Sequence, residues 1–244
     1  MREEANLRIL GSIAKWVFML CLPVLLLAVS LGWAANSLWL YKYGFHKYDV
    51  SSTTGLDDSQ LEKVAIGLIS YFNSGEEYIT LTVAKNGEPF PLFNQREVVH
   101  LRDVKGLIRL DYWILLGTLV YALGYAAGSL LRGKGRYWQR LAWGVVGGSS
   151  ITLALMLALG LGTLIDFDWL FLQFHLISFS NELWQLDPTR DYMIMLFPEG
   201  FFYDAALFCA LATAVWAVIL GGVAGGCLFS TRKMCPRDKS RVPA

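Results

Sequence analysis

Apolar residues arrive along this chain in long uninterrupted blocks, separated by polar and mixed stretches. Blocks at approximately 13–40, 107–131, 141–165 and 203–229 are each long enough to cross a hydrocarbon core of roughly 30 Å, which takes about 20 helical residues. They predict four transmembrane helices. The first block is too long for the apolar core of a cleaved signal. Trp39, Leu40 and Tyr41 stand at its end, where processing wants small residues, so it reads as a retained span. Phe18-Met19-Leu20 before Cys21 likewise lacks the small residue of a lipoprotein signal.

The pattern changes between the spans. Segment 41–56 reads as loop. From Asp57 or Asp58, either suited to an N-cap, apolar Leu61, Val64, Ala65, Leu68, Ile69 and Phe72 recur at three- and four-residue steps, and Asn73-Ser-Gly75 stops the helix they predict. Tyr78–Ala84 and Pro89–Phe93 flank Asn86-Gly87, which predicts a β-hairpin with a tight primed turn. Asn94 then caps a helix that runs through Glu97 and His100 into the second span. On it Glu97, His100 and Asp103 lie three apart and share a face. Phe167–Phe179 is too short to span and too apolar for an exposed loop, so it reads as an aromatic segment at the membrane interface. Asp187-Pro188 and Asn181 read as turn formers. The fold class is therefore membrane all-α: one domain over 1–244 with four spans and a small extracellular α+β cap built from 41–106 and 166–202.

Composition agrees. The chain is 55% hydrophobic with mean hydropathy +0.44, too apolar for an ordinary soluble domain. A net charge of +1 hides an asymmetry. The link between spans two and three carries Arg132, Lys134, Arg136 and Arg140 with no acid, and the C-terminal tail carries Arg232, Lys233, Arg237, Lys239 and Arg241 against Asp238. Segment 166–204 has Asp166, Asp168, Glu182, Asp187, Asp191, Glu199 and Asp204 against Arg190. The termini and the short link therefore face the cytoplasm and the two large connections face outward. This asymmetry concerns topology and implies no nucleic-acid partner. Cys21, Cys209 and Cys227 fall in spans and Cys235 in the tail, so no disulfide holds the outward segments together. Gly144, Gly147-Gly148 and Gly221–Gly226 suit close helix packing.

The candidate chemistry lies in two of the three histidines. His100 and His175 both stand at the outward edge, amid carboxylates and aromatic rings, and an imidazole titrates near 6.5, so the pair can supply a base and an acid. His46 has no partner pattern. Asp103 either orients an imidazole or pairs with Arg102, Lys105 or Arg109, and Glu97 is weighted further toward solvent. Asn181 near His175 is placed to donate to an oxyanion. A metal held by His100, His175 and Asp103 or Glu97 is the rival, but no HExxH or Cys/His ligand spacing occurs. No G-x-S-x-G elbow, Walker loop or Rossmann glycine pattern is present, and the near absence of charge within the spans weighs against coupled transport.

The four-span layout, the Glu97–Lys105 segment, and Phe174-His175 followed by Asn181, Trp184 and Asp187-Pro188 resemble the bacterial integral-membrane family that includes the lipoprotein intramolecular transacylases. The resemblance covers most of the chain. It implies an enzyme on the outer face of the bacterial cell membrane, whose partners are diacylglyceryl-modified lipoproteins and membrane lipid. Such an enzyme moves the sn-2 acyl chain to the α-amino group of the N-terminal cysteine and leaves a lyso-form lipoprotein. The family's catalytic histidines map to His100 and His175. Asp103, Phe93, Phe174, Phe179, Asn181 and Trp184, with Trp169 and Phe171, are the expected surroundings of the substrate headgroup. No cofactor or metal is required. His100 as base and His175 as acid is the expected order, because Asp103 lies three residues from His100. The alternatives are a non-enzymatic scaffold or sensor and a hydrolase of membrane lipid esters.

Overall fold

A computed structural model describes residues 2–131 and 136–234. Arg132, Lys134, Cys235, Arg237, Asp238, Lys239 and Arg241, used above for orientation and redox state, lie outside the described residues. The elements are α1 (Arg2–Ala35), α2 (Leu38–Lys47), α3 (Val50–Thr54), α4 (Asp58–Asn73), β1 (Thr82–Lys85), β2 (Glu88–Pro91), α5 (Gln95–Leu131), α6 (Arg136–Ile165), α7 (Phe167–Ser178), α8 (Tyr192–Leu196) and α9 (Glu199–Met234). Four helical stretches are long and apolar enough to cross a membrane: Ile9–Ala35, Gln95–Leu131, Trp138–Ile165 and Glu199–Thr231. The chain divides into two compact units, one drawn from Met1–Leu27, Ile114–Leu157 and Leu211–Ala244, the other from Ala28–Trp113 and Ala158–Ala210.

In the first unit helices pack through small residues. A Cβ on Gly148 would meet Leu22 Cβ at 2.9 Å, and one on Gly221 would meet Ser149 Cβ at 2.9 Å, so glycine permits the approach. Leu22, Leu26 and Ala217 form a small buried cluster with Val145 and Leu153 against it. Gly222, Gly225 and Gly226 face open space and do none of this packing.

The second unit carries the cap. Its core joins Tyr41 and Phe45 of α2, Val50 of α3, Leu61, Val64, Ala65, Leu68, Tyr71 and Phe72 of α4, and Val83 of β1. Leu56, Ile79, Leu92, Phe93, Leu101, Met193, Leu196, Phe197 and Phe201 complete it. Asp57 caps α4, its Oδ1 accepting from Gln60 N at 2.9 Å. The hairpin pairs antiparallel with Val83 opposite Phe90 and Lys85 opposite Glu88. Asn86 (φ 54°) and Gly87 (φ 86°) form the left-handed pair a primed turn requires. The paired strands are shorter than the apolar runs that announced them.

Two expectations are corrected. The first apolar block is not one helix over 13–40, because α1 ends at Ala35 and α2 starts at Leu38. Asn36 Nδ2 donates to Gly32 O at 2.7 Å, and Ser37 Oγ accepts from Leu40 N as the cap of α2, so two polar side chains compete with the helical ladder and turn the chain. Segment 41–56 is mostly helix rather than loop, since α2 and α3 bury Leu40, Tyr41, Phe45, Val50 and Thr54. Its weak local signal is overridden by packing on residues distant in sequence.

Gly44 of α2 lies directly beneath the Phe201 ring, with no room for a Cβ. Gly44→Ala is expected to destabilise the protein by about 1–3 kcal/mol through overpacking. Gly106→Ala, on an open face of α5, is expected to be neutral or stabilising by up to about 1 kcal/mol. Thermal unfolding of the two variants in detergent separates these outcomes.

Candidate active site

The first turns of α5 set the position of His100. Asn94 Oδ1 accepts from Arg96 N (3.0 Å) and Glu97 N (3.1 Å), while Glu97 Oε2 accepts from Asn94 N (2.8 Å). This is a reciprocal capping box with asparagine in the usual Ser/Thr place. Glu97 Oε1 also accepts from Met193 N at 2.6 Å. The residue is 1% exposed, so the expectation that Glu97 leans toward solvent is wrong. A side chain that fixes two backbone segments is buried because its oxygens are satisfied by N–H groups.

His175 is placed by α7, which Asp166 caps through Trp169 N at 3.0 Å. Phe167, Phe171 and His175 repeat at four-residue steps and turn inward. Phe171 packs on Phe202 at 5.1 Å and Phe167 on Tyr203 at 5.5 Å between ring centroids. The segment read as interfacial is thus a twelve-residue helix. Its other faces leave Trp169, Leu172, Phe174, Leu176 and Ile177 exposed.

The two imidazoles meet. Their ring centroids are 6.5 Å apart with planes 28° from parallel, and both residues are buried. Phe179 touches both, edge-on to His100 at 4.9 Å and at 5.6 Å from His175. Phe171 (4.3 Å), Trp184 (4.8 Å) and Phe174 (5.3 Å) complete the rings around His175. Phe93 sits in the cap core instead, and among the described residues no ring contact joins it to either histidine. Trp169 is exposed.

The nitrogens differ in their partners. His175 Nδ1 lies 2.8 Å from the Phe171 carbonyl oxygen, which can only accept. Nδ1 therefore carries the proton and Nε2 is left with its lone pair. Burial holds the His175 imidazole below its usual value, with the Phe171 hydrogen bond opposing the shift. His100 Nδ1 is buried with no hydrogen-bond partner among the described residues. An unsatisfied buried nitrogen on a ring that lies 6.5 Å from a second imidazole is the kind of exception that functional sites produce.

Asp103 accepts from Asn181 Nδ2 at 2.8 Å through Oδ2. The expected partners of Asp103 are engaged elsewhere: Arg102 pairs with Glu77 at 2.9 Å, Lys105 donates to Ser74 Oγ and Glu76 O, and Arg109 to Ser74 O. Asn181 Oδ1 accepts from Leu183 N at 3.0 Å, the turn expected of it. Glu97 is thus engaged at both carboxylate oxygens, whereas Asp103 is engaged at Oδ2. Arg96 went unnoticed in the sequence. Its Nη2 donates to Glu182 O at 2.8 Å and its Nε to Leu183 O at 3.4 Å. The available signal was spacing, since Arg96, His100 and Asp103 stand at i, i+4 and i+7 on one helix face.

Known proteins share the family and the fold of this chain. The family model described as lipoprotein intramolecular transacylase Lit matches residues 16–202, which include both histidines. The chain belongs to the Lit family. An uncharacterized protein of Aquifex aeolicus (strain VF5) is 26% identical over 207 residues, covering 82% of this chain and 90% of that one. The solved structure of the membrane-integral Lit from Bacillus cereus superposes with a TM-score of 0.78 at 19% identity, covering 93% of this chain and 99% of that chain. A histidine-to-arginine variant of the same protein gives 0.75 at 18% identity, covering 96% and 99%. At these identities the structures establish a shared fold: Lit-like, mostly helical, with four membrane helices and a two-stranded sheet.

His175 binds a proton less readily when folded than when unfolded. Its contribution to stability is therefore present above about pH 6.5 and is lost as pH falls below that value. The thermal midpoint should drop between about pH 7.5 and 5.5, and His175→Gln should make that drop shallower. Separately, Glu97→Ala leaves two backbone N–H groups unsatisfied and is expected to cost about 2–4 kcal/mol, read from denaturation of the detergent-solubilised protein.

Proposed function

We propose that this protein is a lipoprotein intramolecular transacylase that works through its two buried histidines. The reaction proposed moves the sn-2 acyl chain of a diacylglyceryl-modified cysteine to the α-amino nitrogen of the same residue. Its site would lie on the outer face of the cytoplasmic membrane. The observation that carries the reading is the meeting of His100 and His175 at 6.5 Å inside an aromatic enclosure, in a chain of the Lit family.

The geometry favours His175 as the base, which reverses the order expected from the sequence. Its Nδ1 proton is engaged by Phe171 O, so Nε2 holds an available lone pair, and burial keeps the ring neutral at neutral pH. In the proposed step the α-amine attacks the ester carbonyl and His175 Nε2 takes the proton the nitrogen loses. The carbonyl–oxygen bond to the glyceryl group breaks as the amide forms. His100 serves the departing glyceryl oxygen, which gains one proton. The proton that His175 takes from the nitrogen is passed on through His100 to the glyceryl oxygen, so nitrogen gives up one proton, oxygen receives one and both rings end neutral as they began.

Donor and acceptor belong to one molecule, so positioning supplies much of the acceleration. Effective molarities of about 10⁵–10⁸ M are reached in well-oriented intramolecular cases. Phe171, Phe174, Phe179 and Trp184 confine the headgroup and limit the water that would hydrolyse the ester. No separate nucleophile is needed.

The test is mass spectrometry of the N-terminal peptide of a diacylglyceryl lipoprotein from cells that carry the intact protein, lack it, or carry His100→Ala or His175→Ala. An acyl group on the cysteine nitrogen with a monoacylglyceryl thioether is expected only with the intact protein. Each histidine variant should lose at least about 10²-fold in conversion. Free fatty acid in place of N-acyl product would instead make the protein a hydrolase, and an unchanged diacylglyceryl peptide in every strain would leave the histidines without this role.

A further inference from the structure

Arg96, His100 and Asp103 share one face of α5, and the two outer residues grip the same distant segment. Arg96 donates to the carbonyls of Glu182 and Leu183, and Asp103 accepts from the side chain of Asn181. The segment between these grips and α8 is tied down as well, because Asp191 Oδ1 accepts from Asn94 Nδ2 at 2.9 Å and its Oδ2 from Asp187 N at 2.7 Å. His100 stands between the two grips. Residues 181–184 thus form a strap whose last member, Trp184, lies against His175 at 4.8 Å.

We infer that Asp103 and Asn181 form a latch that seats this strap, so that Asp103 is a positioning residue for the histidine pair and not a group that touches substrate. The inference rests on the transacylase reading for its consequence, but the latch itself is a property of the fold. Asn181 Nδ2 donates to Asp103 Oδ2, while Asn181 Oδ1 holds Leu183 N. The asparagine is committed at both ends of its amide, and the carboxylate three residues beyond His100 is engaged with it. Arg96, on the same face, holds the strap's carbonyls at the far side of His100. Loss of the latch frees the strap, lifts Trp184 from His175 and lets water reach both rings.

The latch can be reversed chemically, which separates it from a direct role for the Asp103 charge. Asn181→Asp alone sets two carboxylates against each other and should cut N-acyl product by about tenfold or more. Asp103→Asn alone still offers an amide oxygen to Asn181 and should cost only about threefold. The exchange Asp103→Asn with Asn181→Asp restores a charge-assisted hydrogen bond of opposite direction and should return activity to near the wild-type rate. A second readout needs no substrate: labelling of the detergent-solubilised protein by diethyl pyrocarbonate, read at His175 by peptide mass spectrometry with exposed His46 as reference. His175 should be protected in the wild type and in the exchange variant. In Asn181→Asp its labelling should approach that of His46. An Asp103→Asn variant as inactive as a histidine variant, or an exchange variant that stays inactive, would overturn the inference, and so would His175 labelling that is the same in all four proteins. A wild type that makes no N-acyl product but shows the expected labelling pattern would sink the transacylase reading and leave the latch standing.

Discussion

A buried carboxylate organises the site. Glu97 is 1% exposed, and among the described residues it forms no ion pair. It is held by two backbone N–H groups from segments 99 residues apart, Asn94 and Met193. A carboxylate in such surroundings is tolerated only while both hydrogen bonds are made, because an unpaired buried charge costs several kcal/mol. The start of α5 and the start of α8 are therefore not independent. His100 lies one turn beyond Glu97 and inherits its position, and Asp191, 2% exposed, repeats the logic from the other chain segment through Asn94 Nδ2 and Asp187 N.

With the helix start fixed, the rings determine the character of the site. Both imidazoles are buried among rings, so their hydrogen-bond partners matter more than they would in water. The carbonyl of Phe171 fixes the tautomer of one ring. The order of roles proposed here depends on that single bond, which belongs to the local geometry of α7. The carboxylate at 103 that first suggested the opposite order is engaged with Asn181.

Much of this was legible in the sequence, and the limit of legibility has a physical form. The spans follow from apolar length, the cap helix from three- and four-residue steps, and the hairpin from Asn86-Gly87, because each signal is local. The break at Asn36-Ser37 was hidden inside an apolar run, since two polar residues suffice to redirect a helix when their side chains bond its backbone. Helices α2 and α3 were missed because they are formed by burial against α4, the hairpin and the start of α9, not by their own propensity. At the site, the two histidines and Phe174, Phe179, Asn181 and Trp184 could be named, and the fold brings them together. Phe93 could not be told from a site residue, because an aromatic beside a hairpin serves a core equally well. Glu97 looked like a solvent residue because its partners, above all Met193 N, are backbone groups that no side-chain pattern announces. Arg96 was missed for the same reason, since it grips carbonyls.

Phe174 connects this enclosure to its surroundings. It is 51% exposed on the outer side of α7, among Trp169, Leu172, Leu176 and Ile177, yet its ring is edge-on to His175 at 5.3 Å and to Phe179 at 6.2 Å. Phe179 in turn is edge-on to His100 at 4.9 Å. An apolar exterior therefore leads through two phenyl rings to both imidazoles. An acyl ester in a bilayer has its tail in hydrocarbon and its carbonyl near the interface, so it suits an approach from an apolar face better than one through a polar mouth. Under the proposed reaction α7 has two duties set by its periodicity: the inward stripe of Phe167, Phe171 and His175 carries the chemistry, and the outward residues meet lipid. Phe174 stands at the edge where the stripes adjoin, which is where an acyl chain lying in lipid and an ester held at the histidines would both have to pass.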